Sequence, residues 1–229
     1  MIVLDIAIVA LLGVAAFFYF WPKVVNSKQK DVERQILEEM EKNPNAPITM
    51  RVRRGDLQVP GGEQLESALA GDEFVNEQRD PDEMVNLTFI GRIVIAKIGC
   101  KCPISADASR ESLRFGVGCL PSTPAINENG LTAIFGHRFL DKGRDFNRLG
   151  EIKEGDVFYI DYSADQTRYH YDVVEVKIIN PGKELEDNVF QDVPDNQVLL
   201  VTCHPLEYGS SKQRLLVYGK LSGTEKIPN

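Results

Sequence analysis

Basic residues are in short supply in this 229-residue chain: 26 Lys plus Arg stand against 34 Asp plus Glu, for a formal charge of −8. Nucleic-acid binding is driven by clustered Lys and Arg that displace counterions from phosphates. Arg51, Arg53 and Arg54 form the one basic cluster, which is too small for that, and nucleic acid is excluded as a partner. Cysteines number four, too sparse to staple a miniprotein: Cys100, Cys102 and Cys119 share one stretch while Cys203 stands alone. Histidines number three, so each can be weighed separately. Apolar residues are not lacking. At 43% hydrophobic and 26% charged the chain can bury a core, which excludes disorder throughout.

The start of the chain lacks the marks of a cleaved signal peptide, since no Lys or Arg precedes the apolar run and its exit (Phe17 to Trp21) is bulky and aromatic. The run from Met1 to Trp21, broken only by Asp5, is long enough at ~1.5 Å per residue to cross a hydrocarbon core of ~30 Å. An uncleaved transmembrane anchor over residues 1–22 is therefore expected, with the membrane as a partner. Residues 23–86 read as a stalk. Val32, Ile36 and Met40, four apart in a charged stretch, predict an exposed helix with one narrow apolar stripe. Asn43 to Asn86 is polar, rich in Pro, Gly and acid, and without a sustained period, as in a loose appendage or lid.

The character changes at Leu87. Strand runs are expected at Leu87–Gly99, Gly130–His137, Asp156–Tyr162, Thr167–Ile179, Gln197–Cys203 and Arg214–Leu221, with turn signals between them. Only Asp107–Leu113 and Asp145–Ile152 suggest short helices. Many strands with few helical intervals predict a mainly β domain over residues 87–223, an antiparallel barrel or sandwich, followed by a tail over residues 224–229.

His170 lies in Tyr169-His170-Tyr171 within a strand, where packing or a surface position is expected. His137 ends a strand in Phe135-Gly136-His137-Arg138; Gly136 allows close backbone approach and Arg138 supplies charge. In the strand ending at Cys203, Leu199, Val201 and Cys203 share one face, and Pro205 stops the ladder soon after. A buried, inert thiol is the plain alternative for Cys203. A hairpin between this strand and the one opened by Arg214 would bring Cys203 and Arg214 together, with Leu216 and Tyr218 on the same face as Arg214. Cysteine, histidine and arginine at strand ends make a coherent set: nucleophile, proton shuttle and oxyanion donor. His204 competes for the base role but should leave the strand on the face opposite Cys203.

The ordered set Phe135 to Arg138, Phe146 and Leu149 before Lys153 to Asp156, Leu200 to Cys203, and Arg214 to Val217 resembles the sortases, membrane-anchored cysteine transpeptidases of the Gram-positive cell surface. The resemblance covers Leu87 to Gly223. It implies a closed eight-stranded β-barrel with the site at one rim. It implies Cys203 as nucleophile, His137 as general acid/base, Arg214 as the group that positions substrate and steadies the oxyanion, and Thr202 as a substrate contact. The implied reaction cleaves a Leu-Pro-x-Thr-Gly-like sorting signal after its Thr through a thioacyl-enzyme. The implied partners are surface proteins or pilins bearing that signal, with an amine of cell-wall precursor or a pilin lysine as acceptor. No cofactor is implied.

The class features are mixed. The helical, acidic lead-in resembles the pilin-polymerising class C, yet Asp80-Pro81 is followed by Asp82 rather than an aromatic lid residue. The Phe146-x-x-Leu149 and Thr202-Cys203-x-Pro205 pattern resembles class D. The resemblance places the catalytic domain outside the cell on a single span, against the positive-inside reading of Lys23, Lys28 and Lys30. Two other readings stay open: a membrane-tethered β-barrel binding module in which Cys203 is core, and a hydrolytic cysteine peptidase. Leu120 to Pro124 looks like a sorting signal but reads as a turn. Cys100, Cys102 and Cys119 are expected as ordinary thiols, and no metal site is expected. Glu184, Glu186 and Asp187 read as a solvated loop. Asp141 and Asp145, downstream of His137, are weak candidates to orient it.

Overall fold

A computed structural model describes residues 30–44, 46–57, 80–138, 144–204 and 213–228. The expected anchor over residues 1–22 and most of the possible lid lie outside these residues. Among the described residues no helix is long and apolar enough to cross a membrane.

The chain folds as α1 (residues 30–42), β1 (Ile48–Arg53), β2 (Met84–Ile95), β3 (Cys100–Ser105), β4 (Val117–Cys119), β5 (Gly130–Phe135), β6 (Val157–Tyr162), β7 (Thr167–Ile179), α2 (Lys183–Val189), β8 (Asn196–His204) and β9 (Gln213–Lys226). The hydrogen-bonded order is β1-β2-β3-β4-β5-β8-β9-β7-β6, and a further β2–β6 pairing closes β2 to β9 into a ring of eight strands with β1 outside it. Pairing is antiparallel except at β3–β4 and β5–β8. The β5–β8 exception matters for function, because parallel neighbours end at the same rim.

Strand alternation sorts side chains to two faces. Val198, Leu200, Leu215 and Val217 join Ile93, Ile104, Phe146 and Phe158 in the ring interior. Leu199, Val201, Leu216 and Tyr218 lie on the outer face with Leu131, Ala133 and Phe135, covered by Leu185 and Val189 of α2. Each fully buried aliphatic side chain of this kind contributes about 1.5–3 kcal/mol relative to exposure. Gly136 is required where β5 ends, since a Cβ there would sit 2.6 Å from Phe146 Cδ2 and 2.7 Å from Val117 Cγ1.

Several expectations are corrected. Residues 48–53 form β1 and pair with β2 from Ile48↔Phe89 to Arg53↔Met84, so this part of the supposed appendage belongs to the sheet. The apolar stripe of α1 is not exposed: Ile36 and Met40 are buried against Leu87, Phe89 and Phe115. Glu41 of α1 bonds Lys101 Nζ (2.6 Å) and Arg92 Nη1 (2.9 Å). A single apolar residue per helical turn suffices here because β1 and β2 supply the facing surface. Glu184, Glu186 and Asp187 lie in α2 rather than in a loop. The two expected short helices shrink to single 3-10 turns at Ser112–Arg114 and Leu149–Glu151. β9 runs to Lys226, opposite Thr167, so the first half of the expected tail is strand. Leu120 to Pro124 is a turn, with Thr123 N donating to Leu120 O (3.0 Å).

Candidate active site

Cys203 lies near the end of β8, half-buried, directly opposite Arg214 in the β8–β9 ladder. Its side chain packs against the outer-face cluster that includes Val201 and Leu216. On the other side, β5 runs parallel to β8 up to the pair Phe135↔Val201, and Gly136 N still donates to Val201 O (3.0 Å). His137 follows at once. Cys203 and Arg214 thus face each other at one rim, and the backbone of His137 follows the end of β5 at that same rim.

The electrostatics assign starting protonation states. Burial, reinforced by the cations of Arg144 and Arg110, depresses His137 to about 4, so its imidazole is neutral at neutral pH. Arg214 is only 2% exposed, and its Nη1 donates to the Gln213 carbonyl (2.8 Å), which fixes the guanidinium at the rim.

Thr202 does not serve as a substrate contact in this arrangement. It is fully buried, its side chain is on the face opposite Cys203, and its hydroxyl donates to the Gly136 carbonyl (2.8 Å). It ties β8 to the backbone just before His137.

His204 also faces away from Cys203. Its Nδ1 lies 2.9 Å from Arg138 Nη1, and burial and then Arg138 lower its pKa. The same Nη1 donates to the Cys203 carbonyl (3.2 Å). His170 is on a distant strand, with Nε2 3.2 Å from Glu225 Oε1 and its ring against Tyr159. Asp145 is buried near Arg144, Glu33 and Cys102, its pKa raised mainly by burial, and among the described residues neither carboxylate oxygen bonds another residue. Asp141 lies outside the described residues. Cys100 and Cys102 are buried free thiols with sulfurs 3.7 Å apart, and Cys119 is a third; burial pushes Cys119 up to about 12. Among the described residues no cluster of three or more His, Cys, Asp or Glu could hold a metal ion.

Two features of the rim escaped the sequence. Arg138 was legible only as a charge beside His137, although its parity already pointed it to the face opposite the histidine. Glu33, on the α1 stripe, is buried and raised to about 7 by burial against the opposing pull of Arg144 and Lys30. No signal short of the helix's docking would have placed it there.

A family model for the sortase domain matches residues 93–222. Sortase D of Bacillus subtilis (strain 168) is 29% identical over 131 residues, covering 57% of this chain and 62% of that protein. The chain thus spans less than two thirds of that curated relative. Among solved structures, Streptococcus agalactiae sortase C1 in complex with MTSET is 34% identical with a TM-score of 0.51, covering 58% of this chain and 69% of that one. Listeria monocytogenes sortase A, at 23% identity and TM-score 0.54 over 62% of this chain and 92% of that one, shows likeness of fold alone. The matched model takes in more than half of the residues, from the end of β2 to most of β9, and the chain belongs to the sortase family.

Proposed function

We propose that the protein is a cysteine transpeptidase that cleaves a Leu-Pro-x-Thr-Gly-like sorting signal after Thr and joins the released acyl group to an amine. The observation that carries this reading is Cys203 paired with Arg214 in the β8–β9 ladder, at the rim where β5 ends and the chain continues into His137. Neutral His137 takes the Cys203 proton as Sγ attacks the Thr carbonyl carbon. The oxyanion that develops is held by Arg214. As the C–N bond breaks, the His137 imidazolium returns the proton to the leaving amine, and a thioester remains on Cys203. A second amine attacks that thioester, gives its proton to His137 and releases the thiol. The substrates are surface proteins or pilins bearing the signal, and the acceptor is an amine of cell-wall precursor or a pilin lysine. The catalytic domain is extracellular on a single N-terminal span; digestion by protease added to intact cells tests that placement, and protection would overturn it.

The test of activity is transpeptidation by the full chain, using sorting-signal peptides with an added amine and mass spectrometry of protein and product. A thioacyl adduct on Cys203 and a Cys203-dependent amide product are expected. Hydrolysis unaffected by the amine would make the protein a peptidase. A Cys203 that forms no adduct and resists alkylation would leave it a binding module.

A further inference from the structure

We propose that Arg138 is a positioning residue for the nucleophile: its guanidinium takes the place of a missing rung in the β5–β8 ladder and holds the carbonyl of Cys203 itself. The proposal rests on the reading of Cys203 as nucleophile. In a parallel ladder, backbone N–H groups two residues apart bond carbonyls two residues apart. Gly136 N donates to Val201 O (3.0 Å), so an unbroken ladder would carry the N–H of residue 138 to the Cys203 carbonyl. β5 ends at Phe135 instead, and the Arg138 side chain supplies the bond, Nη1 to Cys203 O at 3.2 Å. The backbone is thereby released to set His137 at the rim while the nucleophile's own peptide stays tied.

The guanidinium sits in a slot made for it. Its Nε faces the Asn147 carbonyl (3.5 Å). A Cβ on Gly150 would come within 2.5 Å of Nη2, so glycine is what leaves room for the fork. Nη1 also lies 2.9 Å from His204 Nδ1. Because a guanidinium only donates, His204 must accept there, which fixes its proton on Nε2 and its ring away from the Cys203 face. Arg138 is also a fixed cation beside the thiol, which acts against the burial that lowers the Arg138 pKa. The charged and titratable groups around Cys203 are then His137 and Arg138 after β5, His204 on β8 and Arg214 on β9, with Arg110 and Arg144 behind His137.

The experiment uses the full chain and three variants, Arg138→Gln, Arg138→Lys and Gly150→Ala. Iodoacetamide alkylation of Cys203 against pH is followed by peptide mass spectrometry, and kcat and KM of acyl transfer are measured alongside. For Arg138→Gln, Cys203 alkylation at neutral pH should slow several-fold, with kcat about 10–100-fold lower and KM within about threefold. Arg138→Lys should keep the alkylation profile near wild type and lose kcat. Gly150→Ala leaves the arginine in the chain but occupies its place, and should reproduce the kcat loss. Wild-type alkylation and kcat in a folded Arg138→Gln would overturn the proposal, as would a folded Gly150→Ala with wild-type kcat. Alkylation needs no substrate. A wild-type chain that never transfers an acyl group would therefore sink the functional reading while leaving the alkylation profiles to judge Arg138.

Discussion

Cys203 has two neighbours in the sheet, and they treat it differently. On the β9 side the ladder runs unbroken past it, through Cys203↔Arg214 to His204↔Gln213. On the β5 side the pairing stops at Phe135↔Val201 and side chains take over, Thr202 to the Gly136 carbonyl and Arg138 to the Cys203 carbonyl. The laddered flank fixes position, and Arg214 inherits its rigidity. The withdrawn flank opens space, because the backbone that carries His137 leaves the ladder after Gly136 at the same rim. A nucleophile needs both: a fixed origin and room for a proton acceptor.

The sharpest way to separate the flanks is to remove the group each contributes. His137→Ala takes the proposed base from the withdrawn flank and should lower kcat/KM by about 10³–10⁴-fold, the upper range for general acid–base catalysis. Arg214→Ala takes the proposed oxyanion donor from the laddered flank and should lower kcat by about 10²–10³-fold. The pH dependence should tell them apart: loss of His137 should remove the acidic limb of the rate profile, while loss of Arg214 should leave that limb in place. If Arg214→Ala proves the more damaging in kcat, the division of labour between the flanks fails.

The withdrawn flank also carries a charge cluster, in which Arg144 acts on both His137 and Glu33 of α1. Glu33 titrates at about 7 in the folded chain against an ordinary 4.5, so the folded state keeps a proton that the unfolded state loses between those values. Its contribution to stability is fully present below about 4.5 and is lost as pH rises through 7. His137, depressed to about 4, works in the opposite sense: its contribution is present above 6.5 and is lost as pH falls toward 4. Glu33→Gln, which mimics the protonated acid, isolates the first effect because His137 is common to both chains. Urea unfolding should give nearly equal stability near pH 4 and an advantage to Glu33→Gln of roughly 2 kcal/mol at pH 8. Equal stability at both values would mean that Glu33 is solvated and α1 is not seated against this flank.

Much of this arrangement was legible in the chain, and the omissions have physical causes. Strands β5 to β9 announce themselves by apolar alternation, and the shared face of Leu199, Val201 and Cys203 follows from period two. The hairpin partner of Cys203 could be read because Arg214 opens the next strand. β4 is three residues long and β3 begins with Cys100-Lys101-Cys102-Pro103, so neither carries enough alternation to be seen. β1, with Arg51 and Arg53 on its exposed positions, looks like a charged linker until its other face packs on the cluster that holds Ile36 and Met40 of α1. The roles of Thr202 and Arg138 were the hardest to see, since both depend on where β5 ends. Strand ends are set by tertiary contacts such as Gly136 against Phe146, not by local propensity.

Thr202 offers the smallest and most specific perturbation of the difference between the flanks. Its hydroxyl joins β8 to the Gly136 carbonyl, one residue before His137. Thr202→Val keeps shape and volume but leaves that buried carbonyl without its donor, at a cost of about 1–3 kcal/mol in folding stability. The laddered flank does not depend on this bond, so the Cys203–Arg214 register should survive. The withdrawn flank does, and the backbone carrying His137 should loosen. The expected signature is a few-fold drop in kcat with KM unchanged and Cys203 alkylation at neutral pH slowed to a similar degree. Thr202→Ser, which restores the donor but lacks the methyl group, should recover kcat while remaining slightly less stable. Recovery of stability without recovery of kcat would show that the hydroxyl holds the sheet together and that the placement of His137 is set elsewhere.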